Sequence, residues 1–126
     1  MSTNGRKGRG ESSHNKSKTD AARGVSASLI EEVFDHWKLC MQKKRAVLDV
    51  KRRRDIGWAI ATYGIDGCKE AIEGCAGDRW WMGANSRKTA YNDISVIFRD
   101  SDHVEKFIEM YEKQRAGSSK QKWLKD

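Results

Sequence analysis

Apolar residues in this chain recur at the three- and four-residue spacing of an α-helix, and nowhere do they alternate as a half-buried strand requires. The clearest case is Ile30, Val33, Phe34, Trp37 and Met41, one stripe along one side of a helix that a Ser28–Glu31 capping box would open. Asp49 is the expected N-cap of a second helix, with Ile56, Ala59, Ile60 and Tyr63 inward and Gly64 as its stop. Asp66 would cap a third, carrying Cys68, Ala71, Ile72 and Cys75 and ending at Gly77. A short fourth begins at Asp93 with Ile94, Ile97 and Phe98. A fifth runs from about Asp102 to Arg115 with Val104, Phe107, Ile108 and Tyr111 inward and Gly117 beyond it. Proline is absent. The expected fold is all-α, a small bundle of about five helices with one long aromatic-containing loop.

The ends read differently. Residues 1–24 hold six Lys or Arg against Glu11 and Asp20 and almost no apolar side chain, so they read as a flexible basic arm. Residues 118–126 form a short basic tail in which Trp123 and Leu124 stand out as a fold-back or docking pair. The helical domain is therefore placed at 25–117. No apolar run approaches the ~20 residues of a membrane span, and the N-terminus lacks the apolar core of a signal peptide, so a cytoplasmic protein without a membrane partner is expected. Cys40, Cys68 and Cys75 make an odd count without a C-x-x-C pair, which suits core packing better than a disulfide or a zinc site.

Charge is polarised within the domain. Lys43, Lys44, Arg45, Lys51, Arg52, Arg53 and Arg54 crowd into twelve positions with only Asp49 opposing them, whereas Asp93–Glu112 holds six acids against Arg99 and Lys106. Cations at the start of a helix oppose its dipole, which points to a use other than stability. Seven clustered cations can grip phosphates through counterion release; a merely solvated helix face is the alternative.

The loop from Asp78 to Asn92 combines Arg79, Trp80, Trp81, Met82, Asn85, Arg87, Lys88 and Tyr91. Aromatics interleaved with cations can stack bases, and the same residue types form protein hot spots. Trp80, Trp81, Met82, Asn85 and Trp123 are the candidate partner contacts, with Arg87 and Lys88 joining the nucleic-acid set. At least one of the two tryptophans is expected to plug the bundle. The histidines, His14, His36 and His103, fall in no metal-binding spacing, and no phosphate-binding glycine loop is present. Catalytic residues, a metal centre and a cofactor are therefore not expected.

Trp37, the KRRR run with Ile56, Tyr63-Gly64, AIEGC from Ala71, the W-x-M-G-x-N element at Trp80–Asn85, Tyr91-Asn92-Asp93 and IFRDSDHVEKFI from Ile97 occur in an order that resembles a known domain. It is similar to the C-terminal domain of phage and prophage replication proteins, the replisome organisers and helicase-loader partners with a distant DnaD-like character. The resemblance spans about Leu29 to Tyr111. It implies a small helical module that helps bind single-stranded or melted DNA and contacts the replicative helicase machinery, in the cytoplasm of a bacterial host. Such proteins usually begin with a winged-helix origin-binding domain; only the basic arm precedes the module here, so sequence-specific origin recognition is not expected. The alternative reading is a small phage interaction module that inhibits a host enzyme or defence complex without catalysis.

Overall fold

The computed structural model describes residues 18–125, with side chains through residue 116. The described chain is helical without strands: α1 (18–23), α2 (Ala27–Met41), α3 (Val50–Ala76), α4 (Ile94–Ile97) and α5 (Ser101–Lys125). The expected stripes form the core, except that Tyr63 and Ile108 pack only at its edge and Tyr111 lies outside it, against Arg115. Ile30, Val33, Phe34, Trp37 and Met41 of α2 meet Ile56, Ala59, Ile60, Cys68, Ala71, Ile72 and Cys75 of α3, with Ile94, Ile97, Phe98, Val104 and Phe107 completing it. Cys68 and Cys75 are fully buried, and burial pushes both thiols up to about 12. They are packing residues.

Side chains set the helix starts. Asp49 accepts the Arg52 backbone N–H at 2.9 Å, Asp93 that of Ser95 at 2.9 Å and Asp100 that of His103 at 2.9 Å. The Ser28–Glu31 box does not form. Ser26 caps α2 instead, its hydroxyl accepting the Leu29 N–H at 3.3 Å, because its extended backbone follows directly on the turn that ends α1. At the far end Gln42 takes the left-handed conformation (φ 56°) while the Lys43 N–H returns to the Lys38 carbonyl, a Schellman closure made without glycine.

Gly64 ends the first arm of α3 as its sequence suggests, but no loop intervenes. Its φ of 78° and ψ of 169° lie in a region open essentially to glycine alone, and the second arm resumes at once, with Asp66 accepting no backbone N–H. Gly74 lets α5 approach closely: a Cβ there would overlap the Phe107 carbonyl oxygen. Gln114 of α5 adds a hydrogen bond from Nε2 to the Gly74 carbonyl at 3.1 Å.

Both ends of the domain differ from expectation. The basic arm was placed at 1–24, and residues 1–17 lie outside the described residues, but 18–23 form α1. Helix α1 docks where Gly57 leaves room for Ala22, and it buries Lys18 to 6% exposure. At the other end Gly117 does not stop α5, which continues to Lys125. One glycine costs a helix only about 1 kcal/mol, and no proline follows to break it. Trp123, expected as a partner contact, lies where side chains are outside the described residues.

Candidate nucleic-acid interface

The basic segment divides residue by residue. Lys43, Lys44 and Arg45 stand exposed on the connection between α2 and α3, and Lys51 and Arg53 are exposed on the first turns of α3. Among the described residues, none of these five side chains has a carboxylate partner. Arg52 points the other way. Its guanidinium donates to Asp93 Oδ1 and to the Val47 carbonyl, each at 2.8 Å, and lies 5.1 Å from the Trp37 ring centre. Arg52 thus joins the α2–α3 connection, the N-cap of α4 and the core. Burial alone would raise the Asp93 carboxyl, but hydrogen bonds from Arg52 and Ser95 and the Arg52 charge outweigh it and hold the group below its usual value.

Arg54 is also engaged, donating from Nε at 3.2 Å and Nη2 at 3.1 Å to Asp55 Oδ1. Asp93 and Asp55 therefore offset two of the cations that oppose the α3 dipole, and Lys51 and Arg53 remain available to a ligand. Of the KRRR run, two residues serve the fold and two face solvent.

The aromatic loop divides in the same way. Trp81 is half-buried, edge-on to Phe107 with ring centres 5.0 Å apart, and Lys106 Nζ stands 5.4 Å from its ring. Its backbone is held too, with N–H to Asp78 Oδ1 at 3.2 Å and carbonyl to the Tyr91 N–H at 2.7 Å. Trp81 is the plug. Trp80 is 50% exposed, with its ring stacked on Tyr91 at 5.6 Å and an interplanar angle of 23°. It is the one exposed tryptophan among the described side chains, and it could offer a face to a ligand together with exposed Arg79, Arg87 and Lys88.

Met82 and Asn85 serve the loop itself. The Met82 sulfur faces buried Asn92 Nδ2 at 3.4 Å. Asn85 Nδ2 donates to the Trp80 and Thr89 carbonyls, both at 2.8 Å, and Oδ1 accepts the Arg87 and Thr89 N–H groups at 3.1 and 3.2 Å. Its whole amide is spent closing the loop beneath Trp80. Asn92 anchors the exit, accepting the Trp37 indole N–H on its carbonyl at 2.8 Å.

Folding also creates clusters that the sequence spacing does not reveal. His36 Nε2 lies 3.0 Å from Glu73 Oε2 and 3.6 Å from the Cys40 sulfur. Burial and then the Glu73 charge raise the Cys40 thiol, the reverse of what an activated cysteine needs. The His103–Asp100 contact at 2.8 Å belongs to the start of α5, where hydrogen bonds from His103 hold Asp100 below its usual value. Among the described residues no group of three His, Cys, Asp or Glu is placed to hold a metal ion, and no helix is long and apolar enough to cross a membrane.

Two cations outside the expected set, Lys18 and Arg99, join Lys51 and Arg54 around one cleft. Lys18 is 33 residues from Lys51 and Arg99 is 45 residues from Arg54, so no local pattern connects them to the KRRR run. No protein-family model, no curated protein and no solved structure matches this chain.

Proposed function

We propose that this is a nucleic-acid-binding accessory domain of phage-type DNA replication, acting on single-stranded or melted DNA beside the helicase-loading machinery in the host cytoplasm. The observation that carries the reading is the exposure of Lys43, Lys44, Arg45, Lys51 and Arg53 on one connection and the helix it enters, without a carboxylate partner among the described residues. Such cations have no ion pair to break before they contact phosphates, and each phosphate neutralised releases counterions. The Trp80–Tyr91 stack, held rigid from below, offers a face for an unpaired base, a contact worth about 1–3 kcal/mol. The resemblance to phage replication domains supplies the biological setting.

The test replaces Lys44, Arg45 and Arg53 together by Gln, which leaves Arg52 and Arg54 in their structural pairs. Affinity for a single-stranded oligonucleotide should fall, and the slope of log K against log salt should drop by about 2. An unchanged titration curve would refute the assignment.

A second reading, an interaction module that inhibits a host enzyme or defence complex, is favoured by one observation. Leu39, Val47 and Val50 are 77%, 67% and 83% exposed, an apolar display around the same connection. If Trp80→Ala leaves oligonucleotide binding intact but abolishes capture of a nuclease-resistant host protein, that reading replaces the first.

A further inference from the structure

We propose that the cleft between α1, the first turns of α3 and the end of α4 is a phosphate-binding site. The cleft has a volume of about 450 Å³ and is lined by Lys18, Lys51, Arg54, Asp55, Ser95 and Arg99, among others. Asp55 is its only carboxylate among the described residues, and that charge is already answered from inside. The Lys18 ammonium lies 3.3 Å from Asp55 Oδ1 and donates to the carbonyls of Phe98 at 3.0 Å and Arg99 at 2.8 Å. It also sits 4.8 Å from the Trp58 ring centre. One buried cation thus neutralises the carboxylate and the carbonyls that would repel an incoming anion.

What remains is positive. Arg54 is oriented by its Nε and Nη2 bonds to Asp55, which leave Nη1 unbonded, and its side chain is 29% exposed. Lys51 and Arg99 are exposed, without a carboxylate partner among the described residues. Three cations line one cleft, a guanidinium fixed by Asp55 and two exposed side chains. Such a set matches the several oxygens of a phosphate, which accept charge-assisted hydrogen bonds from Arg and Lys together.

The site stands on this geometry; it rests on the nucleic-acid reading only for the source of the phosphate, an oligonucleotide backbone rather than a free phosphate. The experiment separates the two. Side-chain NMR signals of Lys51, Arg54 and Arg99 are followed in the full chain during titration with inorganic phosphate at constant ionic strength, then with a single-stranded oligonucleotide. Phosphate should shift these signals ahead of those of Lys43 and Arg45. The Lys51→Gln, Arg99→Gln double variant, which touches only exposed side chains, should weaken binding of either ligand by roughly tenfold or more. Its unchanged melting temperature in chloride would show that the fold is intact.

If phosphate moves none of the three residues, or moves Lys43 and Arg45 equally, the site is overturned. If phosphate binds there while the double variant binds the oligonucleotide as tightly as the parent, the site stands with a free phosphate as its ligand. If phosphate binds there and the parent chain binds no oligonucleotide, the site stands and the nucleic-acid reading alone fails.

Discussion

The first turns of α3 and the aromatic loop each place two residues of the same kind side by side and send them to opposite fates. Arg52 is locked to Asp93 and Val47 while Arg53 faces solvent; Trp81 packs on Phe107 while Trp80 lies open on Tyr91. The causes differ. On α3 the division follows helix rotation: position 52 faces the Val47 carbonyl and Asp93, and position 53 is turned about 100° away from them. In the loop no period exists, and the division depends on Asn85, whose amide closes the chain under Trp80. A regular element sorts its residues by geometry, and an irregular one needs a dedicated residue to do so.

The tryptophan pair gives the sharpest test of this comparison. Trp81→Ala should cost about 3 kcal/mol in urea unfolding, while Trp80→Ala should cost about 0.5 kcal/mol or less. Equal losses would mean that both rings are structural. For the arginine pair, Arg52→Gln should destabilise by about 2 kcal/mol through its lost charge-assisted bonds, and Arg53→Gln should leave the unfolding midpoint nearly unchanged. Should Arg53→Gln prove as damaging, the rotational account of α3 would fall.

The smallest effect concerns pH. The Asp93 carboxyl ionises more readily in the folded chain than in the unfolded one, so its contribution to stability is complete above the unfolded value of about 3.9. It drains away as pH falls from there through the lower folded value. Asp93→Asn should flatten that part of the acid limb of a stability profile, and an unaltered limb would separate Asp93 from acid unfolding.

The periodic parts of the fold were readable in advance, since Ile30 to Met41 and Ile94 to Phe98 announce their buried faces by spacing alone. Asp49 was readable as a cap for the same local reason, whereas Asp66, expected as another, is not one, because α3 continues past Gly64 without a break for it to cap. Lys18 was not readable. It lies in a tract of glycine, serine and cations that has no pattern, and its partner Asp55 is 37 residues away. The His36–Glu73 contact has the same separation and the same invisibility. Within the basic segment, the inward turn of Arg52 follows from its contacts with Val47 and Asp93, yet counting charge alone treats the run as one patch. The choice of Trp80 as the open ring waited on a hydrogen-bond pattern that composition does not encode.

Gly64 also solves a problem of length. A straight helix of the 27 residues in α3 would span about 40 Å, longer than the roughly 30 Å width of a small domain, so one end would project into solvent. Interrupted at a single residue, the same stretch becomes a bracket that contacts α2, α4 and α5.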